Sequence, residues 1–66
     1  MKLREDVLHG EGVIAKRLAC KVKTLQAWRH RGGGPAFVKV GRLVRYRVED
    51  VESWLDSRRR ASTSSR

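Results

Sequence analysis

One cysteine, one proline and four aromatic residues are all that this 66-residue chain holds of those types. A single cysteine excludes an intramolecular disulfide, and one cysteine with two histidines is too few for a zinc site. No apolar run approaches the roughly 20 residues of a membrane span. No basic segment followed by an apolar stretch opens the chain, so nothing marks it for export. A domain this small has a marginal core and no room for a deep, water-excluding catalytic cleft. The expectation is a cytoplasmic, non-enzymatic module without cofactor, metal or membrane.

Acid is also missing, and here position matters more than amount. The chain carries 16 Lys+Arg against 7 Asp+Glu, a formal charge of +9. Between Lys16 and Arg47 there is no acid at all, only ten bases: Lys16, Arg17, Lys21, Lys23, Arg29, Arg31, Lys39, Arg42, Arg45 and Arg47. Glu5, Asp6 and Glu11 precede that stretch; Glu49, Asp50, Glu52 and Asp56 follow it. A surface kept only for solubility mixes signs. A basic middle between acidic flanks predicts two electrostatic sides and a polyanionic partner.

Periodicity supplies the elements. Ile14, Ala15 and Leu18 fall at helical spacing within Gly12–Leu18, and Ala19-Cys20-Lys21 interrupts the run. Residues 22–31 resume it, with Val22, Leu25 and the stem of Arg29 inward and Trp28 adjoining. Gly32-Gly33-Gly34-Pro35 ends that helix, and Arg29, His30 and Arg31 suit the negative end of its dipole. The period then becomes two: Val38, Val40, Val44 and Tyr46 alternate with Lys39, Arg45 and Arg47 around Gly41-Arg42, as in a hairpin. Pairing Val40 with Leu43 would set Lys39 beside Val44 and Tyr46. Pairing Val40 with Val44 across a three-residue loop puts all four apolar residues on one face, and is the expected register. Val51, Trp54 and Leu55 restore the helical period after the acidic opening Glu49, Asp50 and Glu52.

Two short helices, a turn between them and a hairpin after them form a winged helix-turn-helix pattern. The run LQAWRHRGGGPAFVKVGRLVRYRVEDVESWL resembles the MerR-like winged helix-turn-helix domains of phage excisionases and of AlpA-like regulators. The matching positions are Trp28, Gly34-Pro35, Phe37, Gly41, Val44, Tyr46, Asp50, Trp54 and Leu55, within residues 9–56. The resemblance implies a small α+β fold: an arm over 1–8, a DNA-binding domain over 9–57 and a basic, Ser-rich disordered tail over 58–66. It implies an excisionase, or recombination directionality factor, that binds attachment-site DNA in adjacent copies, bends it and assists a phage integrase. A small AlpA-like or MerR-like transcriptional regulator is the alternative; the coiled coil and effector domain of the larger MerR activators are not in this sequence. Where such domains have a Gly-Val-Ser-like turn, this chain has Ala19-Cys20-Lys21. Gly10 and Gly12 flank the start of the first helix, at about 1 kcal/mol each relative to Ala inside a helix, so that helix should be short.

The expected contacts follow from the helical wheel. Lys23 and Thr24 lie in the first turn of the second helix, where such helices reach base edges. Ala27 leaves room for close approach, while Lys21, His30 and Arg31 suit phosphates. On the wing, Lys39, Arg42, Arg45 and Arg47 are the candidates, with Arg42 at the tip and Arg45 on the outer face. Several other signals are demoted. All four aromatics are needed for packing, which argues against a single-strand reader. The triple glycine lacks the Lys-Ser/Thr of a phosphate loop. Cys20 reads as an inert packed thiol. Tyr46 points away from Arg45 and Arg47 in a strand and cannot be a recombinase nucleophile between them.

Overall fold

The structure, a computed structural model, describes residues 3–59. Its elements run β1 (Leu8–His9), α1 (Glu11–Arg17), α2 (Val22–Arg31), β2 (Val38–Val40), β3 (Leu43–Arg47) and α3 (Val48–Arg58). The fold is a small α+β winged helix-turn-helix, as expected.

Helix α1 starts from an extended Gly10 with no side-chain cap, with Glu11 in its first turn and Lys16 and Arg17 in its last. That placement of charge suits the helix dipole. The helix ends in a Schellman arrangement: Cys20 N–H donates to Ala15 O (2.9 Å) and Ala19 N–H to Lys16 O (3.1 Å). The motif needs a left-handed residue, and Ala19 takes that role at φ 56°. Helix α2 closes similarly, but there Gly32 adopts the left-handed conformation (φ 77°) and Gly33 N–H donates to Trp28 O (2.9 Å). One helix thus ends on the residue type that fits without strain, and the other on one that does not.

β3 is the middle strand of an antiparallel sheet ordered β1-β3-β2. β2 pairs as Val38↔Arg45, Lys39↔Val44 and Val40↔Leu43, so the loop is the two residues Gly41-Arg42. This corrects the expected register. Gly41 has φ 63° while Arg42 stays negative, the pattern of a two-residue turn with glycine first. A three-residue loop would gather Val38, Val40, Val44 and Tyr46 on one face; the chain instead leaves Val38 and Val40 on the other. β1 was not expected as a strand. Leu8, assigned to the arm, pairs with Arg47, and His9 pairs with Tyr46. The His9 ring also bonds the Arg4 carbonyl through Nε2 (2.8 Å), which ties the arm to the sheet edge.

The core joins the helices to one sheet face. Ile14, Ala15, Leu25, Tyr46 and Val51 are buried, and Leu3, Leu18, Cys20, Trp28, Val44 and Leu55 pack around them. Val22, expected inward, is 38% exposed, because it lies one turn outside the buried stripe that begins at Leu25. Phe37, expected to pack, keeps 40% of its surface and sits with its ring 6.4 Å from that of Tyr46. Trp28 and Trp54 meet at 5.2 Å between α2 and α3, and Trp54 Nε1 donates to Gly33 O (3.1 Å). Gly34 is required beside them: a Cβ there would lie 2.8 Å from Trp28 Cβ. Arg58 closes α3 over the Trp54 ring, at 5.3 Å. It belongs to the helix and not to the tail, whose residues 60–66 lie outside the described residues, as do residues 1–2.

Candidate nucleic-acid interface

Helix α2 is oriented by one inward stripe. Leu25 is fully buried, and Trp28 and Arg29 follow it at i+3 and i+4. The opposite stripe therefore faces outward. Lys21, Lys23, His30 and Arg31 are exposed, and Thr24 and Ala27 are half-buried. Among the described residues, none of these six side chains enters a hydrogen bond or ion pair with the rest of the molecule. The stripe is presented whole, with its polar groups uncommitted.

Arg29 behaves differently from its neighbours. Its Nη1 donates to Glu11 Oε1 (3.0 Å) and to Tyr46 Oη (3.4 Å), and its guanidinium lies 5.7 Å from the Phe37 ring centre. The hydrogen bonds to Tyr46 and to Glu11 hold its pKa above the ordinary arginine value. Arg29 thus joins α2 to α1 and β3. Sequence reasoning placed its stem inward but missed this cluster, because Glu11 lies 18 residues away and no local period connects the two.

Acids from the flanks fold back onto the basic stretch. Glu52 pairs with Arg17 (2.6 Å), Glu11 with Arg29 (3.0 Å) and Glu49 with Arg47 (2.8 Å). Three of the ten central bases are thereby occupied, and seven are left without an acid among the described residues. Those seven are Lys16 on α1, Lys21, Lys23 and Arg31 at α2, and Lys39, Arg42 and Arg45 on the hairpin. The simple division into a basic and an acidic side is therefore softened at three points.

The hairpin does not display its bases uniformly. Arg42 is exposed at the tip. Lys39 pairs with Val44 and so shares the face of Tyr46, opposite Arg45 and Arg47 rather than beside them. Arg45 lies on the outer face as expected, but its head folds back: Nη1 donates to Val44 O (2.9 Å), close to Gly10. Arg47 is more than half exposed in its pair with Glu49, an exposed ion pair of small net worth that a phosphate can displace. Tyr46 is 1% exposed and is hydrogen-bonded by Arg29 rather than by its flanking arginines, so its hydroxyl is a packing group. Cys20 is free and half-buried against the core. Among the described residues no cluster of His, Cys, Asp or Glu is arranged to hold a metal, and no helix is long and apolar enough to cross a membrane.

The sequence matches a family model described as a helix-turn-helix domain over residues 13–59, from within α1 through the end of α3. No curated protein and no solved structure matches the chain.

Proposed function

The chain belongs to the helix-turn-helix domain family, a family of DNA-binding modules that includes excisionase-like and AlpA-type proteins, and from that premise we propose that it is a phage or prophage excisionase. One observation carries the reading: the outer stripe of α2 carries four exposed basic side chains, Lys21, Lys23, His30 and Arg31, that make no hydrogen bond or ion pair among the described residues, and it is accompanied by a hairpin whose charged residues are all basic. An α-helix of this width fits the major groove of B-DNA, and base-edge donors in its first turn are where direct readout is made. In this reading Lys23 and Thr24 face base edges, and Ala27 allows the helix to seat closely. Lys21, His30 and Arg31 hold phosphates and fix register. Arg42 and Lys39 reach the neighbouring backbone or minor groove, with Arg47 joining them when it releases Glu49; Arg45 acts less directly because its head is turned back.

The function follows from position rather than from chemistry. Copies bound side by side on attachment-site DNA bend it, and the bent duplex brings the sites of a phage integrase together in the excising arrangement. The work is done in the bacterial host cytoplasm and needs no cofactor. The motif from Trp28 to Leu55 resembles excisionases and AlpA-like regulators alike, so a small transcriptional regulator of the same fold is the second reading.

An integrase-driven excision assay on a reporter flanked by attachment sites tests this. Adding the protein should raise excision and lower integration. No stimulation, together with repression of a neighbouring promoter, would replace the proposal with the regulator.

A further inference from the structure

Two aliphatic side chains face each other at the far end of the hairpin, each about half exposed among the described residues. Val40 and Leu43 are register partners across the Gly41-Arg42 loop, and they are 48% and 53% exposed. Alternation sets both on the sheet face opposite Tyr46, away from the helices. A single exposed apolar residue is ordinary. An adjacent pair reaching from the edge strand β2 to the middle strand β3 is a liability for a folded chain, and the core does not use it.

The surroundings select what would cover the pair. Every charged residue from Pro35 through Arg47 is basic: Lys39, Arg42, Arg45 and Arg47. A partner for this tip must offer an apolar surface flanked by dense negative charge. A DNA minor groove offers both, with sugar C–H walls between two rows of phosphates. The groove is about 6 Å wide and paired strands lie about 4.8 Å apart, so with its van der Waals width one cross-strand pair of side chains is broader than a relaxed groove and enters only as the groove opens.

We propose that Val40 and Leu43 form an apolar wedge that enters the minor groove, loosens one base step and kinks the duplex, while Arg42 anchors the adjoining phosphates. The proposal rests on the DNA-binding function above and names the device that bends the DNA. Apolar wedges of this kind exchange base stacking for a bent duplex that meets more protein surface. Pyrimidine–purine steps loosen most easily, so the wing selects TA or CA/TG at that point without a hydrogen bond to any base.

The signature differs from that of a charge contact, because removing methyl groups releases no counterions. The test uses the double variant Val40→Thr/Leu43→Thr. Threonine keeps the strand preference, and both positions are half exposed, so the fold should persist; far-UV circular dichroism checks this. The probe is a duplex enriched from a random library by the unaltered protein, end-labelled for energy transfer and carrying 2-aminopurine at successive steps. The unaltered protein should shorten the end-to-end distance and raise 2-aminopurine emission at one step. The double variant should lose at least half of both signals and bind about three- to tenfold more weakly at an unchanged salt slope. Val40→Ile/Leu43→Met should restore both signals. Bending and emission equal to those of the unaltered protein would overturn the wedge. So would sedimentation equilibrium showing a DNA-free dimer that the double variant dissociates, since the tip would then be a contact between copies. Enrichment of no duplex by the unaltered protein would overturn the underlying function together with the wedge, and is distinguishable because it precedes any substitution.

Discussion

The guanidinium of Arg29 crosses from α2 to the phenol of Tyr46, with Nη1 3.4 Å from Oη, and the same nitrogen holds Glu11 at 3.0 Å. A single side chain thereby ties α2 to α1 and to β3, the central strand of the sheet. Its side chain is 17% exposed and that of Glu11 27%, so solvent screens the pair only in part.

Replacing Arg29 with Met should lower stability by about 1–3 kcal/mol, since Glu11 and Tyr46 lose a donor in a partly dry site. Lys should recover only part, because its ammonium ends one bond short of Nη1 and lacks the guanidinium plane that lies by the Phe37 ring. Thermal melting followed by circular dichroism checks both. The sign of the pH effect is fixed as well. A cation with a raised pKa stabilises below its unfolded value and loses that contribution only as pH rises through the folded one. Both values lie at or above the ordinary arginine value, so the Arg29 contribution should be constant throughout the neutral range. A loss of this contribution between mildly acidic and neutral pH would contradict the assignment.

Seven central bases stand without an acid among the described residues. If about five to seven meet phosphates, log K should fall with log salt at a slope of about −4 to −6. Arg42→Ala should weaken binding evenly across sequences and flatten that slope by about 0.9, and Arg45→Ala should do less. Fluorescence anisotropy over a salt series measures all three. A slope shallower than about −2 for the unaltered protein would contradict the proposed surface.

Lys23→Ala should relax discrimination at one base position by roughly 1–3 kcal/mol while leaving the melting temperature unchanged. Competition between a selected duplex and its single-base variants reads this. Equal discrimination by Lys23→Ala and the unaltered protein would move the base contacts off the first turn.

Ala19 is the alanine at φ 56° in the turn between the first two helices. A left-handed L-residue costs about 1–2 kcal/mol, and glycine gives back about 0.5–1 kcal/mol in chain entropy. Ala19→Gly should therefore stabilise by roughly 0.5–1 kcal/mol, or about 3–6 °C in Tm. An unchanged or lowered Tm would mean that the turn relaxes in solution.

Much of this fold is legible in the sequence. The bounds of α2 follow from Gly32 and from the helical period, and those of α3 from its acidic opening. The register of the wing was not legible by parity, which assumes that apolar residues share the covered face; Val40 and Leu43 break that assumption. The better signal was Gly41 itself, a residue suited to the first position of a two-residue loop. β1 has two residues, too few for any period, and exists because β3 has an unpaired edge. Arg29 and Glu11 are brought together only by the packing of α1 on α2. The outer stripe of α2 was readable because it is the complement of Leu25 on a helical wheel.

That stripe is held in place entirely from behind. Leu25, Trp28 and Arg29 anchor α2, and backbone hydrogen bonds close its ends, so no outward side chain is needed to keep the helix where it is. Spelling and scaffold are consequently separable: the outward letters can be rewritten one by one with little risk of unfolding. In the proposed reading, a lineage built on this frame follows a drifting target site by point changes alone.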